Sequence, residues 1–506
     1  MVHRQRQRLS LARAAALLAA LGLAGCAALV APSAPATAGA EVIACARWFE
    51  QLDAAIDRAG VRDVEAERIA GFAGLRVDRV AEALRDQARA DAGTFEAWLA
   101  RLQKLENEGR AVEISNLPRD AFALAEVSDV TDAAAARSRS AACTAYWRAP
   151  LQADAALRMR LLDAATVPDR YATWQRAVGL YPLVRWPFFA GVENWQREHQ
   201  AQVERWDAAP PAMQRFVPTG VTPTAAHVAG LWRHRPRDPL GLPQFLPDEA
   251  ATLLAAHAPV VEIDDRGAFD RFGALVWRDG GAAPGVDTAT PVLYQRLAAT
   301  RYRGQWLMQL VYTLWFPERP PRSRFDLLAG ALDALVVRIT LAPDDGRPLL
   351  VDTIHGCGCY HLFLPTPEVR LRDDAPTDVE WAFSPITLPT PQAGQRFIIR
   401  LDSASHYVVG ATLDNGRPGA PYDLRSESAL RSLSMPQGGT RSVFGPDGLV
   451  PGSERAERFL FWPMGIASAG AMRQWGHHAT AFVGRRHFDD ADLIEARFVI
   501  SRLESR

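Results

Sequence analysis

Residues 305–316 read Q-W-L-M-Q-L-V-Y-T-L-W-F. β-Branched and aromatic residues fill the run, and Gly304 and Pro317 bound it, which is how a strand reads. The same pattern recurs on both sides: P-V-V-E-I-D (259–264), G-A-L-V-W-R (273–278), P-V-L-Y-Q-R-L-A-A-T-R-Y (291–302), L-V-V-R-I-T-L (335–341), P-L-L-V-D-T-I (348–354) and R-F-I-I-R-L-D (396–402). Strands follow one another without helices between them, and D-D-G at 344–346 has the composition of a hairpin turn. This order predicts an antiparallel, sandwich-like sheet rather than a parallel α/β sheet.

Upstream the period changes. In A-R-W-F-E-Q-L-D-A-A-I-D-R-A-G (46–60), Trp48, Leu52 and Ile56 recur every fourth residue, and 79–90 and 95–114 continue in that manner, as amphipathic helices do. A helix is expected to close near Pro150, and another, carrying Trp195 and Trp206, to run to about Asp207. Prolines crowd 208–247, where a connector is expected. The reading is therefore α+β: a helical region at 41–207, a Pro-rich connector at 208–257 and a β-rich domain at 258–506.

The chain opens with Arg4, Arg6, Arg8 and Arg13 and no acids, followed by an apolar run. That run is too short for a spanning helix and has the layout of an export signal. It ends in Leu23-Ala24-Gly25-Cys26. This L-A-G-C resembles the lipobox of bacterial lipoproteins. The resemblance implies removal of residues 1–25, a lipid on Cys26 and a membrane partner through that lipid. Ala27 after the cysteine implies sorting to the outer membrane. Residues 26–40 are small and uncharged and suit a tether.

Without the four leader arginines the formal charge moves from −1 to −5, which offers nucleic acid no basic face. Lys104 is the single lysine, so P-loop and Schiff-base chemistries lack their residue. In an oxidising compartment the four remaining cysteines tend to pair. The economical pairing is Cys45 with Cys143.

The chemistry-bearing stretch is D-T-I-H-G-C-G-C-Y-H-L-F-L-P, 352–365. His355, Cys357, Cys359 and His361 alternate, so an uninterrupted strand puts them on one face. Six strand steps span about 20 Å, whereas ligands of one zinc lie within about 4 Å of each other. Only a bend at Gly356 and Gly358 can gather them. Three readings stay open: a Zn or Cu site, a Cys357–Cys359 disulfide or redox pair, or buried packing. The spacing C-x-C-Y-H does not fit a c-type haem.

Asp333 ends an apolar stripe of Leu335, Val337, Ile339 and Leu341, where a carboxylate needs a partner. His406 follows a later strand. From 290 to 410, the order of an Asp-led strand, a D-G-x-P-L-L strand and R-L-D-S-A-S-H-Y resembles the β-sandwich of necrosis-inducing secreted proteins. That resemblance implies a cation site including Asp333 and His406, although the G-H-R-H-D-W-E heptapeptide of those proteins is missing. Arg473, His477, His478, Arg485, Arg486 and His487 crowd one stretch and form a candidate anion site if 479–484 is a strand. The function classes carried forward are a metal-dependent hydrolase, a non-enzymatic envelope protein binding a partner or small ligand, and a thiol-redox protein.

Overall fold

The structure is a computed structural model that describes residues 40–118, 121, 130, 132–278 and 281–504. Cys26, the leader and the tether up to residue 39 lie outside the described residues. The fold is α+β, with most helices in the N-terminal part and a large, mainly antiparallel sheet in the C-terminal part.

Trp48, Leu52 and Ile56 are all buried on one side of α1 (Ala40–Ala59). α2 (Ala92–Asn116) begins at Asp91, whose carboxylate accepts from the Gly93 and Thr94 amides, the usual N-cap device. α3 (Ala133–Thr144) is capped in the same way by Asp132. A disulfide joins Cys45 of α1 to Cys143 of α3, with the Cα atoms 5.2 Å apart. The chain does not stop at Pro150. It tightens at Ala145–Trp147 and re-enters a helix at Arg148–Ala153. Pro150 sits in the first turn of that helix, where its missing N–H costs no hydrogen bond.

Ten strands form the large sheet: β1 (Gln214–Pro218), β2 (Val260–Ile263), β3 (Val292–Tyr302), β4 (Gln305–Arg319), β5 (Gly330–Leu341), β6 (Pro348–His355), β7 (Leu362–Pro365), β8 (Phe397–Leu401), β9 (Val408–Leu413) and β10 (Ala420–Ser426). Their spatial order is β7-β6-β5-β4-β3-β10-β1-β2-β8-β9. The meander β3 to β7 is antiparallel throughout, and the D-D-G segment turns β5 into β6 as expected. β10 runs parallel to both its neighbours: Ala420–Tyr422 pair with β1 and Asp423–Ser426 with β3. β8 is parallel to β2.

The sheet curls. Leu310, Tyr312, Leu335, Val337 and Leu364 from one flank share a core with Val261, Ile399 and Val408 from the other. The opposite face of β4 and β5 is also covered, because Val311, Trp315, Ala334 and Val336 are buried in other clusters. Strands buried on both faces read as near-continuous apolar runs, which is why 305–316 stands out.

Three segments sit differently from the sequence reading. The proline-rich stretch supplies β1, an internal strand, and the helix Ala225–His234, whose Trp232 lies in the shared core. α4 (Tyr181–Ala208) leaves the N-terminal helices and lies against the sheet region, with Trp195 among Tyr360, Phe383 and Tyr407. Residues 479–484 are not a strand. Ala479 and His487 form an isolated bridge, and Arg486 holds the loop between them by donating to Thr480 Oγ1 and Thr480 O. Arg473 does similar work, donating from Nε to Cys357 O and from Nη2 to Ser468 O. Buried guanidiniums satisfy carbonyls that a sheet ladder would otherwise take.

Candidate functional site

The hairpin of β6 and β7 is closed by His355–His361. The chain does bend here. Gly358 N–H donates to His355 O at 2.7 Å, and His355 N–H donates to Cys359 O at 3.0 Å. Gly358 has φ +89°, and a Cβ there would lie 2.6 Å from Ala479 O. Both facts demand glycine.

The bend separates the histidines instead of gathering them. His355 Nδ1 lies 3.6 Å from Asp333 Oδ1, outside hydrogen-bond reach, and its ring meets Tyr360 and Tyr407 edge-on. Among the described residues neither ring nitrogen has a hydrogen-bond partner. Burial lowers its pKa, and the charge of Asp333 offsets only part of that. His361 turns to a different carboxylate. Its Nε2 is 2.9 Å from Asp352 Oδ2, and Asp352 is gripped by Arg338 through Nε at 3.0 Å and Nη2 at 2.6 Å. Burial pushes the His361 pKa down to about 3 despite Asp352, so the ring is neutral at ordinary pH. Among the described residues no group of three or more His, Cys, Asp or Glu is arranged to hold a metal ion. The donor set expected for Zn or Cu is therefore split between two carboxylates.

Cys357 and Cys359 are free and buried, and the Cys359 amide donates to Cys357 Sγ at 3.4 Å. Burial opposes the Cys357 thiolate, but contact with the Cys359 thiol and the charge of Arg455 outweigh it, so its pKa falls. The Cys359 thiol is raised, first by that same contact and then by burial.

Asp333 and His406 do meet. Asp333 Oδ2 lies 2.9 Å from His406 Nδ1, while Asp333 Oδ1 accepts from Arg455 Nη2 at 3.1 Å and from the Ala334 amide at 3.0 Å. The far ring nitrogen, Nε2, is 3.2 Å from Phe269 O and 3.5 Å from Asp270 Oδ1. The imidazole stacks on Phe316 at 3.8 Å between centroids. Burial works against a charged His406, but Asp270 and Asp333 outweigh it and raise its pKa. Burial likewise works against the Asp333 carboxylate, yet Arg455 and the histidines hold it well below the usual range. Both side chains are fully buried and their polar atoms are taken. The pair can clamp the fold, but it has no free valence for a substrate.

The six candidate anion ligands do not converge on one site, and two of them, Arg485 and His487, share Asp169. His477 Nε2 meets Val64 O at 2.8 Å, His487 lies between Asp169 and Asp490 at 3.2 Å each, and Arg485 pairs with Asp169. Arg473 and Arg486 bind backbone carbonyls, and His478 is buried with no hydrogen-bond partner for either ring nitrogen among the described residues.

The bent loop nevertheless forms one wall of a large cavity of about 550 Å³. α4 supplies Phe188, Gly191, Val192 and Trp195. The loop supplies Cys357, Cys359, Tyr360 and His361. Trp381 and Phe383 close a third side, and Leu460, Phe461, Ile466 and Phe482 a fourth. Two carboxyl groups, Glu380 and Glu457, lie in the lining; Glu380 Oε1 accepts from the Phe482 and Val483 amides at 2.6 and 2.8 Å, which leaves its Oε2, and burial raises the pKa of both against the pull of Arg486 and Arg455 respectively. This size falls in the range of small-molecule sites, roughly 300–1,000 Å³.

No protein-family model, curated protein or solved structure matches the chain.

Of the cavity lining, Cys357, Cys359, His361 and Arg486 were among the sequence-based candidates, and the walls from α4, 380–383 and 457–482 were not. The available signal was Y-P-L-V-R-W-P-F-F at 181–189, a run far more apolar and aromatic than a helix packed by one stripe requires.

Proposed function

We propose that this is a cell-envelope protein, anchored through a lipid on Cys26, that binds a small amphiphile without chemically changing it. The observation that carries this reading is the aromatic-walled cavity between α4, the 357–361 loop and residues 457–482. Its apolar walls suit a hydrocarbon portion. Glu380 and Glu457, with their raised pKa values, suit a polar end that accepts or donates a hydrogen bond. A few polar groups in an apolar pocket are how such sites orient a ligand. The metal-dependent hydrolase has no comparable support, since His361 is bonded to Asp352 while His355 stands near Asp333, and the two rings do not converge.

Gly191 gives the test. It lines the cavity at its exposed edge, and a Cβ added there meets nothing within 4 Å, so Gly191→Trp sets an indole at the cavity mouth without its Cβ displacing core. Wild-type protein should bind dansyl-labelled undecanoic acid saturably with enhanced emission. The variant should lose at least about ten-fold in affinity, roughly 1.4 kcal/mol, with an unchanged melting temperature. Equal binding by the two proteins removes the reading.

The thiol pair supports a second reading. Cys357 and Cys359 are free, adjoining and at the cavity wall. Exchange with a partner's disulfide would join the two sulfurs and release the partner as a dithiol, carrying both electrons and both protons. If mature protein keeps two thiols after incubation with glutathione disulfide, this second reading falls.

A further inference from the structure

Large apolar side chains crowd the rim of the cavity. Leu183 is 69% exposed, Trp186 51% and Phe459 74%, and Leu180, Leu460 and Trp174 are exposed beside them. The rim is one continuous surface: Phe188 of α4 meets Phe461 at 5.4 Å, Trp174 meets Trp462 at 5.7 Å, and Pro187 and Leu460 line the cavity itself. We infer that this rim docks on the surface of a lipid bilayer and that the cavity's amphiphile enters from the bilayer. The second half of this inference rests on the amphiphile-binding reading above.

Two features select a bilayer over a protein partner. First, the start of α4 is apolar on opposite sides. Leu183, Trp186 and Phe188 point in three directions round its axis at 100° per residue, the first two to solvent and Phe188 to the cavity. A helix apolar all round belongs in an apolar medium. A protein partner covers one face of a helix end, whereas acyl chains surround it. Second, three exposed rim aromatics each follow an arginine whose guanidinium lies over the ring: Arg185 over Trp186 at 4.5 Å, Arg458 over Phe459 at 4.9 Å and Arg324 over Phe325 at 5.7 Å. Arg185 also pairs with Asp378 at 2.9 Å. The Phe325 loop belongs to this edge, because Leu327 O accepts from the Glu457 amide at 3.1 Å. A ring at the boundary with a cation at phosphate level is the chemistry of interfacial anchoring.

The test uses the full-length, lipid-bearing protein in vesicles of phosphatidylethanolamine with phosphatidylglycerol. A single NBD label is placed at Leu183→Cys, at Phe459→Cys or at Val221→Cys, the last being 96% exposed, outside the cavity lining and just past β1, which pairs with β10 and β2. Cys357 and Cys359 lie at the cavity wall, so all three proteins carry Ala at both positions and the label enters only at the introduced cysteine. The lipid on Cys26 tethers all three proteins alike, so only the face presented differs. Lipids brominated in the acyl chain should quench labels 183 and 459 several-fold more than label 221, and charge reversal at Arg324 and Arg458 (both to Glu) should weaken that quenching. Equal quenching at all three positions, or none at 183 and 459, overturns the docking. Protection of label 183 that appears without lipid and grows with protein concentration assigns the face to a second copy and also overturns it. The Gly191→Trp ligand assay is read separately. Quenching without ligand binding keeps the docking and removes the cavity reading; ligand binding without quenching does the reverse.

Discussion

His406 Nδ1 sits 2.9 Å from Asp333 Oδ2, although β5 and β8 are six strands apart in the order of the sheet. The contact exists because the sheet curls. It ties the turn after β8 to the first residues of β5, with Arg455 bound to the other carboxylate oxygen. Replacing Asp333 by Asn leaves a buried imidazole and a buried guanidinium short of their counter-charge. Removing one member of such a group costs about 3–5 kcal/mol. A shift in the urea midpoint of that size is expected; a change below about 1 kcal/mol means the clamp is not holding the curl.

The same pair has a pH signature at each end. Asp333 is depressed in the fold, so its stabilisation is present above the ordinary carboxylate pKa and is lost as pH falls through the folded value. His406 is raised, so its stabilisation is full below the ordinary histidine pKa and is lost as pH rises through the folded value. His406→Gln should flatten the alkaline limb of a plot of stability against pH. An unchanged alkaline limb removes His406 as its source.

Five other histidines pull the opposite way. Burial pushes His199, His257 and His477 down to about 4, and His361 and His478 to about 3. Each is neutral in the fold and protonates when the chain unfolds in mild acid, so stability should fall as pH drops from about 6.5 towards 4. Each such group adds about 1.4 kcal/mol per pH unit to the slope. Melting curves across that window check this, and His478→Asn should make the slope shallower by one proton.

The Cys45–Cys143 bridge closes a span of 98 residues. In the loop-entropy account this stabilises by about 4–5 kcal/mol. Replacing both cysteines by Ala should lower the denaturation midpoint accordingly, and because α1 and α3 carry the bridge, circular dichroism should register the loss as helix.

Gly358→Ala tests the bend. The backbone is left-handed there and Ala479 O occupies the place of the new methyl group. The variant should lose more than about 1 kcal/mol and should also bind the dansyl probe more weakly, because the loop is a cavity wall. Full stability with full binding contradicts the geometry.

The reach of the sequence follows from the range of the interactions. The α+β division rests on patterns within single elements, a fourfold period at 46–60 and a near-continuous apolar run at 305–316, so both announced themselves. β1 did not, since five residues beside Pro210, Pro211 and Pro218 carry too little pattern. Asp333 could be singled out as a carboxylate in need of a partner, but its partner lies 73 residues away and meets it only after the sheet curls. For His355 and His361 the need for a bend was legible, but its outcome was not. That outcome depends on Asp333 and Asp352, which stand on adjacent strands and draw the two rings to different places. The cavity was least legible, because its walls come from stretches far apart in the chain, and only 357–361 among them looks like a site.

The position of β10 sets a timetable. It is the last of the ten strands to be synthesised, yet it fills the gap between β3 and β1, half of its length on each. Until residue 426 is available, every earlier strand belongs to one of two unjoined pieces, each with an open edge ready to pair with a neighbouring chain. A polypeptide emerging N-terminus first must therefore be kept apart from its copies until this late strand arrives, and a product truncated before residue 420 would be prone to aggregate rather than merely lack its C-terminal part.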